Sequence, residues 1–122
     1  MKIWKLSLAA TKEIYDLSSK KDFARDFGLN NQIRRAIVSV SSNIVEGFEK
    51  NNNNEFIRFL KISKGSLGET RNQLYIALSV NYITQPEFNG INEKLENLAA
   101  QIGGFIVYLQ KKHSENEFTK NK

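Results

Sequence analysis

Apolar residues recur at steps of three and four in four separate stretches of this chain, and that spacing confines it to packed helices. The first stripe is Ile3, Leu6, Ala10, Ile14 and Leu17, and the second is Leu29, Ile33, Ala36, Ile37, Val40, Ile44 and Phe48. The third takes in Phe56, Phe59, Leu60, Ser63, Leu67, Leu74, Ala77 and Leu78. The fourth, Ile91, Leu95, Leu98, Ile102, Phe105 and Leu109, alternates steps of four and three as a heptad seam does. Four such helices on short connections predict an all-α fold, an antiparallel up-down-up-down four-helix bundle. With 122 residues, 40% of them apolar, the chain suffices for one such core and not for two. The bundle is expected over residues 1–112, with a polar C-terminal tail over 113–122.

The boundaries carry their own signals. Helix 1 is expected from Lys2 to Ser19. A polar stretch, Ser18 to Asp26, then leads to Gly28, read as the turn, and Asn30, read as the cap of a helix 2 that ends near Phe48. Asn52 and Glu55 stand in capping-box spacing and open helix 3, which should end near Asn81 and Tyr82. Thr84 and Glu87 repeat that spacing, with Ile83 and Phe88 at the positions of a hydrophobic staple and Pro86 in the first turn, where its missing N–H costs nothing. Helix 4 follows, to about Lys112.

Catalytic chemistry has little to stand on. The one histidine, His113, lies in the expected tail, so no nucleophile–imidazole arrangement can form within the bundle. There is no Glu-x-x-His pair for a di-iron centre, and zero cysteines remove thiolate metal sites, disulfides and a cysteine nucleophile. Lys64-Gly65-Ser66 lacks the glycine-rich lead of a phosphate loop. Glu46 and Glu69 read as partners of arginines rather than as an acid and base. Neither cofactor nor metal is implied, no run approaches the ~18 apolar residues of a membrane span, and the N-terminus opens on a helix pattern rather than a signal peptide. A cytoplasmic, non-enzymatic protein is expected. The net charge of +5 suits an anionic partner.

Two polar lines sharpen this. Arg35, Ser39, Ser42 and Glu46 run along helix 2, and Arg58, Ile62, Gly65 and Glu69 along helix 3. An antiparallel hairpin turning near residue 52 sets Arg35 level with Glu69, Ser39 with Gly65, Ser42 with Ile62 and Glu46 with Arg58. Both lines lie far round the wheel from the core stripes, beside Ile62, Ile76 and Val80 on helix 3 and Val38 and Val45 on helix 2. Val107 and Tyr108 likewise stand off the helix 4 seam. A mixed apolar and charged outer face predicts a subunit interface, with Ser39 and Gly65 small enough for close approach.

The run from Gln32 through Arg35, Ser39, Asn43 and Glu46 to Phe48, followed by Glu55-Phe56-Ile57-Arg58 and Gly65-Ser66-Leu67-x-Glu69, resembles the signature of the 23S ribosomal RNA intervening-sequence proteins, and the similarity extends from Trp4 to about Leu109. Arg35, Ser39, Asn43, Glu46, Arg58, Gly65 and Glu69 carry the pattern; Thr70 and the segment before Leu29 depart from it. The resemblance implies a bacterial protein, a left-handed bundle and a ring-shaped homopentamer. A related bundle, the accessory variability determinant of diversity-generating retroelements, is a basic pentamer that works with RNA, so nucleic-acid binding is implied by analogy.

Lys61, Lys64 and Arg71 form a basic line on one flank of helix 3, the expected contact for RNA or DNA phosphates. Only Tyr75 accompanies it as a stacking residue, so base-specific readout is not expected. The alternative reading is an oligomeric adaptor that binds another protein. Retention on RNA that falls with salt separates the two.

Overall fold

Four long helices and one short one form the chain: α1 (Lys2–Ser18), α2 (Lys21–Arg25), α3 (Phe27–Glu49), α4 (Asn53–Ser79) and α5 (Gln85–Lys120). The computed structural model describes residues 1–120, and of the side chains those of 1–112 and Ser114. α3 packs on α1 and α4, and α5 packs on α1 and α4, so the long helices occupy the corners of a square with α1 diagonal to α4. All neighbours run antiparallel. Ser63 and Ser66 of α4 meet Val40 and Ser39 of α3, while Arg71 and Tyr75 of α4 meet Glu96 and Phe88 of α5. Lys94 of α5 meets Glu13 of α1. The all-α bundle is the expected fold.

The four stripes converge on one core in which Ile14, Ile33, Ile37, Ile44, Leu60, Leu67, Leu74, Leu95, Leu98 and Ile102 are fully enclosed. Burying each such side chain favours folding by about 1.5–3 kcal/mol. Polar residues that enter this core bring their hydrogen bonds with them: Ser63 Oγ donates to the Val40 carbonyl at 2.8 Å, and Thr70 Oγ1 to that of Ser66 at 2.9 Å.

Phe48 departs from its expected place in the second stripe. It is 57% exposed, and Gly47 is buried instead. A Cβ at Gly47 would lie 2.7 Å from Phe59 Cβ and 3.0 Å from Phe56 Cδ1, so α3 and α4 pack with no room for a side chain at residue 47. Phe48 is turned out and meets Phe56 edge-on.

The largest difference lies between α1 and α3. The expected loop contains α2, whose Phe23 is completely buried and stacks on Tyr82 at 5.6 Å. Gly28 and Asn30 do not make the turn and cap. Asp26 is the cap, its Oδ1 accepting from the Leu29 N–H at 3.1 Å, and Asn30 lies inside α3, where its buried amide donates to the Ser18 carbonyl at 2.6 Å. A lone phenylalanine among charged residues has no periodicity to announce a helix; its burial is decided by the open end of the bundle above it.

The starts of α4 and α5 and the end of α4 follow expectation. Asn52 Oδ1 accepts from Glu55 N at 3.0 Å. Thr84 and Glu87 close their reciprocal box, and Ile83 and Phe88 are buried beside it. α4 ends in a Schellman turn on Asn81, at φ 64°, with Tyr82 N–H bonded to the Ala77 carbonyl at 2.8 Å. α5 continues to Lys120, past the expected end at Lys112. The side chains of the expected tail lie, apart from Ser114, outside the described residues. No described helix is long and apolar enough to cross a membrane.

Candidate nucleic-acid interface and assembly groove

Charge is distributed unevenly along the bundle axis. The upper half holds α2 and the α4–α5 turn; the lower half holds the start of α1 and the α3–α4 turn. In the upper half Lys12 pairs with Asp16, Lys20 with Glu87, Arg71 with Glu96 and Lys94 with Glu13. Arg34 donates to the hydroxyls of Ser18 and Ser19 and lies over the Tyr15 ring at 4.3 Å. In the lower half the one ion pair among the described residues is Arg58–Glu55, at 2.8 Å. Lys2, Lys5, Lys50, Lys61 and Lys64 form no ion pair among the described residues.

Sequence explains the imbalance once the helices are placed. Residues 1–12 of α1, 56–68 of α4 and 97–112 of α5 contain no Asp or Glu. The square packing sets α5 between the other two, so three acid-free segments share one face of the lower half. Glu46 and Glu49 belong to α3, at the opposite corner.

Within the expected basic line, the three residues part company. Lys61 and Lys64 are exposed, and Lys64 Nζ lies 3.4 Å from where a Cβ of Gly103 would sit on α5. Arg71 is committed elsewhere: its Nη2 donates to Glu96 Oε1 and its Nε to Asn92 Oδ1, both at 3.0 Å. It ties α4 to α5 and is not a free cation, because α5 offers a carboxylate opposite residue 71 and a glycine opposite residue 64. Tyr75 packs on Phe88 with ring centroids 4.6 Å apart and is 51% exposed, so it follows Arg71 towards the upper half rather than Lys61 and Lys64.

Along the expected rows the register is right, but the ion pairs are not formed. Ser66 Oγ bonds Ser39 Oγ at 3.0 Å, and Asn43 Nδ2 bonds Ser39 Oγ at 2.9 Å. Among the described residues no ion pair joins Arg35 to Glu69 or Glu46 to Arg58; Arg58 turns to Glu55 one turn away on its own helix. That guanidinium, with Lys50 nearby, holds the Glu55 carboxyl below the usual carboxylate range. Arg35 and Glu69 instead line a common groove between α3 and α4, with Ser39, Ile62, Ser66 and Gln73. Gln73 Oε1 is buried and receives no hydrogen bond. Beside the groove, Gly65 has open space around it and Ile62, Ile76 and Val80 are exposed.

The sequence pattern of the 23S rRNA-intervening sequence proteins matches residues 1–104. The chain belongs to that family. A protein of unknown function from the S23 ribosomal protein family of Bacteroides thetaiotaomicron shares the fold of this intervening-sequence protein, with a TM-score of 0.78 and 23% sequence identity, over 85% of this chain and 97% of that one. No curated protein matches it significantly in sequence. The motif residues Arg35 to Glu69 all lie within the matched segment, whereas Tyr108, Lys111 and Lys112 of the acid-free face lie beyond it.

Proposed function

We propose that this chain is a non-catalytic, self-assembling bundle that binds RNA through the phosphate backbone. The observation that carries this reading is the acid-free face of the lower half, where Lys61 and Lys64 stand exposed without a partner among the described residues. Phosphates that displace counterions from such lysines give binding with little sequence preference and a strong dependence on salt, about 0.7 in log K per log salt for each phosphate on a single strand. The +5 net charge and the family's link to ribosomal RNA point the same way.

Self-assembly is supported by the groove between α3 and α4. It presents Arg35 and Glu69 without ion-pair partners among the described residues, an unsatisfied Gln73 oxygen and the apolar Ile62. A second copy supplies the complementary charges and covers the exposed stripe. A ring of five is the stoichiometry that the resemblance implies. Repeating the basic face once per subunit lets weak phosphate contacts act together.

Filter binding of structured ribosomal RNA tests the first part: retention is expected at low salt and is expected to fall in Lys61→Glu/Lys64→Glu, with the fold and assembly unchanged. Equal retention by the double variant, or none by the wild type, overturns it. Sedimentation tests the second: a mass that is a multiple of 14.0 kDa is expected, and a monomer would leave the groove to a different protein partner and favour the adaptor reading.

A further inference from the structure

Resting on the RNA-binding reading, the geometry points to a strand site that the basic line on α4 does not describe: we infer that the exposed lower face of α5, floored by Gly103 and Gly104 and ended by Tyr108, holds single-stranded RNA. α5 is bare here. Gly104 is exposed, and a Cβ built on it meets nothing within 4 Å. The α4 wall carries Lys61 and Lys64, with the Lys64 ammonium beside Gly103. On the α1 side a groove of about 350 Å³ is lined by Lys2, Gln101, Gly104, Phe105 and Tyr108, together with Met1 and Ile3. Cations therefore border both edges of a strip that is floored by two glycines, continues into the exposed Val107 and carries no acid among the described residues.

Tyr108 supplies the second requirement of single-strand binding. Its ring is 52% exposed and is backed by Phe105 at 5.9 Å, which itself meets Phe56 at 5.5 Å and, through it, Phe48 at 6.0 Å. An aromatic ladder thus runs from α3 across α4 to α5 and presents one tyrosine to solvent from a packed base. Lys112 Nζ stands 6.0 Å from that ring. A cationic groove that follows the sugar-phosphate chain, beside a fixed aromatic ring on which a base stacks, is the arrangement by which proteins bind single strands irrespective of sequence. A duplex, whose bases are already stacked, gains only the charge. The face lies on α5, away from the α3–α4 groove.

Fluorescence anisotropy of a labelled 12-nucleotide oligouridine RNA, and of a duplex of equal length, on the intact oligomer tests the site. Tyr108→Ala is expected to weaken single-strand binding by about fivefold to a hundredfold, the effect of losing one stacked base, with duplex binding unchanged and Tyr108→Phe close to wild type. Gly104→Glu, at a position with room for the side chain, is expected to weaken both probes without lowering the melting temperature. Wild-type RNA binding that both Tyr108→Ala and Gly104→Glu leave intact overturns the strand site and spares the backbone-charge reading. Absence of binding by the wild type overturns both.

Discussion

The two ends of this bundle are held by different chemistry. At the upper end, the Tyr82 hydroxyl donates to Asp26 Oδ2 at 2.9 Å, Asp26 caps α3, Asn30 and Arg34 tie α3 to the end of α1, and Glu87 serves both Thr84 and Lys20. Lys12, Lys20, Arg71 and Lys94 are matched there by carboxylates within the chain, whereas Lys21, Arg25 and Arg35 form no ion pair among the described residues. At the lower end, aromatic rings make the cross-helix contacts, while Lys61 and Lys64 form no ion pair among the described residues and residues 56–68 and 97–112 carry no carboxylate. A charge matched inside the chain stabilises the fold, and one left unmatched is available to a ligand. The upper end is accordingly expected to respond to pH at both Glu87 and Tyr82, and the lower end chiefly to salt and polyanions.

The most severe test of the upper end is Phe23→Ala, which empties the site under the Tyr82 ring. A loss of about 3–5 kcal/mol in urea-induced unfolding is expected, as for other buried phenylalanines. A loss under about 1 kcal/mol would mean that α2 docks only loosely and that the polar contacts suffice without it.

At the lower end, Gly47→Ala is expected to cost about 1–3 kcal/mol, because the new methyl group meets Phe59 Cβ where α3 and α4 leave no room for it. Gly65→Ala provides the contrast. Open space surrounds it within the chain, so the subunit fold is expected to gain slightly in helix propensity, about 0.5–1 kcal/mol, while the oligomer mass falls if copies meet there. Denaturation and sedimentation on the same two variants distinguish packing within a subunit from packing between subunits.

Thr84→Ala, which removes the cap of α5, is expected to cost about 0.5–2 kcal/mol. Its partner Glu87 is held below the usual glutamate range, first by the hydrogen bond from Lys20 and then by that from the Thr84 N–H. A depressed carboxylate contributes stability above its unfolded value and loses it as pH falls through the folded one. Melting temperature is therefore expected to decline on the acid side, and Lys20→Ala to flatten that decline.

The smallest expected effect lies at alkaline pH. The Asp26 carboxylate accepts the Tyr82 proton and, with burial, raises the phenol above its ordinary value of 10.0. A raised phenol contributes stability that is complete below that value and is lost as pH rises through the folded one. Tyr82→Phe should remove this alkaline limb without altering RNA retention. A change in retention would show that the two ends are coupled after all.

Most of the frame was legible because its signals are local. The Thr84–Glu87 box and the Ile83–Phe88 staple need only positions three and five apart, and the rows through Ser39 and Gly65 need only a hairpin turning at a known residue. The candidate site was half legible. Lys61, Lys64 and Arg71 look alike on α4, and what separates them is the residue that α5 sets opposite each one. Tyr108 was visible as a residue off the core seam, but not as the end of an aromatic ladder, since Phe48 and Phe56 reach it only through two helix packings.

The sequence by itself determined that there are four long helices, where most of them begin, most of the residues that form the core and which segments carry no acid. Each of these depends on neighbours within a few residues, or on composition alone. Only the tertiary structure decided that α2 exists, that Gly47 rather than Phe48 faces α4, that Arg71 is held by Glu96 while Lys64 stays free of a described partner, and that the acid-free segments share one face. Those outcomes depend on which side chains meet across helices, and that is settled when the helices pack and their antiparallel register brings distant residues into contact.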